Sequence, residues 1–419
     1  MTSHGGALVH VLVAMIAVIA AARVLGAVFR RIDQPPVVGE MVAGVLLGPS
    51  LLGRFAPRVS EFLFPSAVVP HLQVIAQIGV LLFMFLVGLE LDTKLLQKRS
   101  GVTVAISLGS ILVPLALGAS SAFVVYPRLA PPHVPFGTFA LFLAISLSVT
   151  AFPVLARILA DLGLSRSDLG VLVLTCAALG DVAAWCLLAL VVSVARSNAG
   201  ELVRTLGLTA VYVVSMLWVV RPVVARLVAR QELVKGVTPE TTALAFVGLL
   251  ASALATEYAG IHALFGAFLF GAIIPHGSHL AQRLVDSLST LVVTLFLPVF
   301  FAVTGLRTQI GLVEGAEHWL LCAGLVLVAC LGKFGGSAVA GRVSGLGWRD
   351  AASVGVLMNT RGLMELIVLG VGLDLGVISP ALFAMLVLMA LVTTIATTPL
   401  LVRLQRDGRL ASAGQRALG

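Results

Sequence analysis

Apolar residues along this chain neither alternate as in a strand nor recur as one helical stripe. They run together in long blocks separated by short polar punctuation. The blocks fall at roughly 7–29, 36–53, 68–89, 103–125, 136–156, 169–195, 203–222, 240–256, 260–276, 285–305, 319–341, 352–373 and 381–402. A helix rises 1.5 Å per residue, so about 20 apolar residues cross a hydrocarbon core. Only helices satisfy every backbone group inside one segment in lipid. The pattern therefore predicts an all-α integral membrane protein with 13 transmembrane helices. Residues 1–402 form a single membrane domain, and 403–419 form a short basic tail too small to fold by itself.

Composition agrees. The chain has 419 residues, 59% hydrophobic and 11% charged, against about 25% charged in soluble domains. Its net charge of +8 does not point to nucleic acid, because the cations are not interleaved with aromatics. They set topology instead. With the N-terminus outside, the inward segments hold Arg30, Arg31, Lys94, Lys98, Arg99, Arg157, Arg166, Arg221, Arg226, Arg230, Lys235, Arg283, Arg342, Arg349 and the tail arginines. The outward segments hold only Arg54, Arg58, Arg128, Arg196, Arg204 and Arg307. The expectation is N-out, C-in, in the inner membrane of a bacterium, to which the preference for Arg over Lys also points. Arg23 and Lys333 fall inside helices, near cytoplasmic ends, and are expected to snorkel. Cys176, Cys186, Cys322 and Cys330 lie in apolar blocks without metal spacing and read as small core hydrophobes.

One block carries a charge at its centre. Residues 169–195 are apolar except for Asp181 near the midpoint. Insertion scales set the cost of such a carboxylate at about 2.5–3.5 kcal/mol, and intramembrane acids face partners, cavities or ion paths. Two other blocks look interrupted. In 136–156, Pro153 follows Ser146, Ser148 and Thr150, hydroxyls able to satisfy backbone groups freed by a break. A proline kink with back-bonding serines is the alternative. In 352–373, Asn359, Thr360, Arg361 and Gly362 stand at the centre. Here either a break is present, or an intact helix pairs Arg361 with Glu365 at i,i+4.

A faint internal repeat relates FLVGLELD (85–92) to FAVTGLRTQ (301–309). The topology makes the halves inverted: repeat one about 7–195, a linker helix about 203–222, and repeat two about 240–402. Inverted repeats whose paired interrupted helices meet at the midplane are a transporter architecture. If helices 5 and 12 cross, Arg361 balances carbonyl ends while Asp181 faces the crossing. Glu40 reads as structural or interfacial, and Glu257 and His262 as structural with pH sensing as the alternative. Glu90 and Asp92 face water or Lys94. Gly39, Gly44, Gly48 and Gly266 read as close helix packing.

At these residues the chain resembles the monovalent cation:proton antiporter superfamily, in the branch of potassium-efflux antiporters and plant cation/proton exchangers. The matching stretches are PPVVGEMVAGVLLGPSLLG (35–53), FLVGLELD (85–92), SLSVTAFPVLARILADLGL (146–164), GDVAAW (180–185), GIHALFGAFLFGAIIP (260–275) and NTRGLMELIVL (359–369). The resemblance implies a homodimer with a mobile core of helices 4–6 and 11–13. It places a monovalent cation, potassium or sodium, or a proton at Asp181 beside Thr150, with Ser148 and Ser146 nearby. No cofactor beyond the transported ions is implied, and a separate cytoplasmic regulatory subunit is a further partner to seek. Gly180 departs from the family, which often has Asp or Asn before the essential Asp. A single carboxylate points to electroneutral exchange. A sodium-coupled organic-acid carrier and a cation channel remain alternatives. An intramembrane hydrolase lacks support: there is no HExxH and Asp181 has no obvious acid partner.

Overall fold

The computed structural model describes residues 4–90, 101–164, 167–196, 199–233, 238–260 and 262–417, and every regular element among them is a helix. The first nine are α1 His4–Arg31, α2 Pro36–Leu47, α3 Leu52–Phe55, α4 Pro57–Leu63, α5 Val69–Glu90, α6 Gly101–Leu129, α7 Phe136–Ser148, α8 Phe152–Asp161 and α9 Asp168–Arg196. Then α10 Ala199–Ser215 passes through a π-helical turn, Met216–Val220, into α11 Arg221–Leu233. Next come α12 Pro239–Tyr258, α13 Ala263–Ile273, and α14 His279–Leu291, joined by a second π turn, Val292–Phe296, to α15 Leu297–Arg307. A third π turn, Leu331–Gly335, joins α16 Gly315–Cys330 to α17 Gly336–Val343, and α18 Trp348–Met358, α19 Leu363–Asp374 and α20 Pro380–Ala417 follow.

Each apolar block of the sequence is helical. Among the described residues ten helices are long and apolar enough to cross a membrane, or 11 when α18 and α19, bent by 43°, count as one span. Helices α7 and α13 are apolar but shorter, so the structure does not settle the count of 13. The tail differs from expectation: α20 runs on through it to Ala417. Extending an existing helix needs no new nucleus, and the tail is rich in Leu, Arg, Gln and Ala.

The chain divides into two compact units. One comprises Met1–Ala20, Phe55–Gln97 and Ala189–Val303; the other comprises Ala21–Arg54, Lys98–Leu188 and Thr304–Gly419. In the first unit, a Cβ on Gly88 would lie 2.2 Å from the Phe268 carbonyl oxygen, and one on Gly271 would lie 2.3 Å from that of Phe85. Helices α5 and α13 thus meet backbone to backbone. In the second unit, α6 and α17 do the same through Gly109 and Gly336. Lipid supplies no hydrophobic drive between helices, so close packing of small residues holds such contacts.

The expected packing glycines behave accordingly. A Cβ on Gly39 would sit 2.5 Å from the Leu25 carbonyl oxygen, on Gly48 2.2 Å from that of Gly305, and on Gly266 2.4 Å from that of Ser252. Gly44 offers its own carbonyl to Gly305, where a Cβ would lie 1.8 Å away. Gly305→Ala is therefore expected to cost at least the roughly 1–3 kcal/mol of overpacking. Gly324→Ala, whose Cβ meets nothing within 4 Å, should be neutral or gain up to about 1 kcal/mol of helix propensity. Melting both variants in detergent compares them; equal melting temperatures would contradict the packing.

Two sequence expectations change, those for Lys333 and Cys186. Lys333 does not snorkel: it is fully buried. Arg23 turns to Glu40, with 3.6 Å between Nη1 and Oε1 and the carboxylate side almost wholly enclosed. Cys186 is exposed, unlike the buried Cys176 and Cys322.

Candidate functional site

The site lies in the second unit, where two interrupted helices touch. Helix α7 ends at Ser148, Val149 is extended, and α8 starts at Phe152. Pro153 then occupies the first turn of α8, where a missing N–H leaves no intrahelical bond unmade. Helix α18 ends at Met358, and α19 starts only after Gly362. Gly362 has φ +156° and ψ −131°, a region open chiefly to glycine. A Cβ there would also lie 2.9 Å from Val154 Cγ2.

The two breaks satisfy one another. The Ala151 N–H donates to the Thr360 carbonyl at 3.0 Å. The Thr150 hydroxyl donates to the Met358 carbonyl at 3.3 Å. Non-helical backbone at membrane depth is tolerated where protein covers it, and here each break supplies partners to the other.

Arg361, fully buried, sits at the C-terminal end of α7. Its Nη1 donates to the Ser146 carbonyl at 3.1 Å, and its Nη2 to that of Leu147 at 2.6 Å. A cation belongs at a helix C-terminus, where unpaired carbonyls carry the negative end of the dipole. Glu365 balances it, with Oε2 3.2 Å from Nη1. The break and the i,i+4 pair are thus both present. Thr394 of α20 pins the same residue's backbone, accepting from its N–H at 3.0 Å and donating to its carbonyl at 2.6 Å.

Asp181 comes from the uninterrupted α9. It is 2% exposed, and neither carboxylate oxygen has a hydrogen-bond partner among the described residues. Buried polar groups are normally paired, so an unpaired carboxylate needs a reason. Lys333 stands nearby: it interacts electrostatically with Asp181, Glu365 and Arg361. Its Nζ donates to Thr150 Oγ1 at 2.5 Å. Two acids and two bases thus share one buried neighbourhood around the breaks.

Lys333 is the residue of this buried group that the sequence reading assigned elsewhere. It lies close to the middle of its block, in the run GKFGGS, and both facts were available. Its snorkelling assignment fails because the π turn and the tight glycine packing of α17 on α6 turn it inward. A π-helical turn inside an α-helix frequently marks a functional position.

The remaining predicted residues divide. Ser146 and Ser148 are buried, but their hydroxyls donate back to Phe142 and Ile145 of their own helix, at 3.0 and 2.8 Å. Asn359 donates to Cys330 Sγ at 3.5 Å, while its Oδ1 and the Thr360 hydroxyl have no partner among the described residues. Glu257 and His262 belong to the first unit and cap α13: Glu257 Oε2 accepts from the Ala263 N–H at 3.0 Å, and His262 Nδ1 from that of Leu264 at 3.4 Å. Asp92 and Lys94 lie outside the described residues.

The family model described as sodium/hydrogen exchanger, transmembrane, matches residues 14–403. The chain belongs to the sodium/hydrogen exchanger family. As a member it is a multi-pass membrane transporter and not an enzyme, and the resemblance read from its motifs holds. Among similar proteins is the Na(+)/H(+) antiporter NhaS4 of Synechocystis, 42% identical over 400 residues, covering 95% of this chain and 97% of the relative. Cation/H(+) antiporter 20 of Arabidopsis thaliana is 40% identical over 405 residues, covering 94% of this exchanger and 48% of the plant protein. K(+)/H(+) antiporter 1 of Saccharomyces cerevisiae is 34% identical over 384 residues, covering 89% and 44%. The chain thus spans about half the length of these plant and yeast relatives. The solved sodium proton antiporter MjNhaP1 of Methanocaldococcus jannaschii shares the fold, with a TM-score of 0.66 over 97% of this exchanger and 98% of that chain, at 14% identity.

Proposed function

We propose that this chain exchanges a monovalent cation for protons by alternating access, with Asp181 carrying either guest in turn. The observation that carries this reading is a buried carboxylate without a hydrogen-bond partner among the described residues, whose electrostatic neighbour Lys333 donates to the Thr150 hydroxyl at the crossing of two broken helices. A proton and a bare cation cannot occupy one carboxylate together, and that exclusion couples their fluxes. Thr150 and carbonyls of the breaks complete the cation's oxygen shell. Because the Ser146 and Ser148 hydroxyls bond their own helix, they stand behind that shell, and Thr150 is its side-chain member.

Lys333 supplies the resting competitor. With Asp181 ionised and no guest bound, the ammonium offsets part of the carboxylate's charge and occupies the Thr150 oxygen. An arriving cation displaces it from that oxygen; an arriving proton neutralises the carboxylate. Burial and neighbouring charge act on proton affinity in opposite senses, and this balance sets the working pH range. Arg361 and Glu365 hold the crossing together and carry no guest.

The printed names of the relatives speak of sodium, potassium and cation exchange, so both ions are candidates. The homodimer, the inner membrane, the N-out orientation, a regulatory subunit and the pair of inverted repeats belong to the same proposal. Proton flux in proteoliposomes, with potassium, sodium and lithium compared with and without an imposed voltage, tests it. Cation-driven proton movement independent of voltage is expected. Currents that persist without proton counter-movement would make the chain a channel.

Gly180 extends the test. A Cβ there meets nothing within 4 Å, so the first atom of a new side chain displaces no neighbour. Gly180→Asp is expected to fold and to make exchange respond to voltage, as a second titrating group adds a proton to the cycle. Exchange that stays blind to voltage would separate stoichiometry from this position.

A further inference from the structure

Away from the crossing, the second unit holds a cavity of about 700 Å³. The turn between α1 and α2, the helix α8 and the distal part of α20 line it. Three arginines contribute to the lining, Arg30, Arg157 and Arg403, against one acid, Asp33. Two further lining groups are more than nine-tenths buried and short of partners among the described residues: the Gln34 side-chain carbonyl and the Thr398 hydroxyl. The Gln34 amide donates to the Ile395 carbonyl at 3.1 Å, which fixes the side chain and leaves Oε1 without a donor. Such atoms are costly unless something hydrogen-bonds them.

From this geometry we infer a binding site for a phosphate ester that carries hydroxyl groups, as in a glycerol headgroup. The guanidinium forks match phosphate oxygens. The Gln34 carbonyl and the Asp33 carboxylate accept only, so they call for donors, and a phosphodiester has none while a polyol has several. Thr398 serves either part. Arg30 lies in the last turn of α1, at the end where the positive residues place the cytoplasmic leaflet. Basic pockets between helices there suit anionic headgroups. A bound headgroup ties the α1–α2 turn and α20 to α8, the half-helix that begins at the break holding Thr150.

The test is melting of the purified full chain in detergent, titrated separately with dihexanoyl phosphatidylglycerol, dihexanoyl phosphatidylcholine and glycerol 3-phosphate. Phosphatidylglycerol is expected to raise the melting temperature saturably, and phosphatidylcholine, whose headgroup is zwitterionic, to leave it unchanged. Glycerol 3-phosphate acting as strongly would support the same site with a soluble ligand as its source. The double variant R157Q/R403Q should weaken the response at least tenfold in midpoint concentration. R157K/R403K, which keeps charge and loses the fork, should fall between it and the parent. Gln34→Met keeps all three arginines and should also weaken it, which covers failure of the arginine variants to fold. No response to either phosphate ester, or an equal response in R157Q/R403Q or in Gln34→Met, overturns the assignment.

Discussion

Asp181→Asn is expected to abolish cation-driven proton movement in proteoliposomes while the protein still folds and inserts. Asparagine keeps the shape of the side chain and removes its charge. A monovalent cation about 4 Å from a carboxylate gains roughly 4 kcal/mol at an effective dielectric of 20. Losing that weakens binding by about three orders of magnitude. The proton route disappears as well, since an amide does not titrate. The Asn side chain breaks no hydrogen bond, because neither oxygen of Asp181 is used as an acceptor among the described residues, so its cost to the fold is confined to the lost interaction with Lys333. Dye-reported proton flux beside a melting curve separates transport from folding. Parental exchange in this variant would remove Asp181 from the site.

Lys333→Gln is expected to give the largest loss of stability at the site. It removes a fully buried amine that interacts electrostatically with two buried acids, and breaking such a buried set from one side costs on the order of 3–5 kcal/mol. The diagnostic is the same change made on top of Asp181→Asn. With the carboxylate gone, the Lys333→Gln cost should fall by about 1 kcal/mol or more, within the usual range for interacting neighbours. Lys333→Arg should keep part of the stability and little of the exchange, since a planar guanidinium does not reproduce the compact ammonium on Thr150. Equal costs of Lys333→Gln in the two backgrounds would mean that the two groups do not feel one another.

Much of the architecture was legible because lipid leaves the backbone few choices. Long apolar blocks must become helices, and each one did. A proline after a run of hydroxyls, and four polar or small residues in mid-block, marked both breaks correctly. Arg361 was placed at carbonyl ends by dipole reasoning, and it donates to two of them. Burial direction was less legible. Mid-block position and flanking glycines hint at Lys333 but do not by themselves turn it inward, while Arg23 remains half-exposed beside Glu40. The inward turn depends on a π-helical register shift and on glycine contacts with a helix distant in sequence. The serines illustrate a related limit: a hydroxyl's choice between its own helix and a guest is made by rotamer and packing, not by residue type.

Hydropathy, glycine spacing and one acid in an apolar block determined the helical class, the family motifs and the carboxylate proposed to carry the transported ion. Those are properties of single segments in an apolar solvent, where the unfavourable solvation of polar groups is strong enough to be read locally. Only the tertiary structure decided that the breaks bond to one another, that a lysine donates to the threonine of one break, and that three arginines share a cavity with two polar atoms unpartnered among the described residues. These pair residues hundreds of positions apart, and their energies depend on distances that no segment specifies alone.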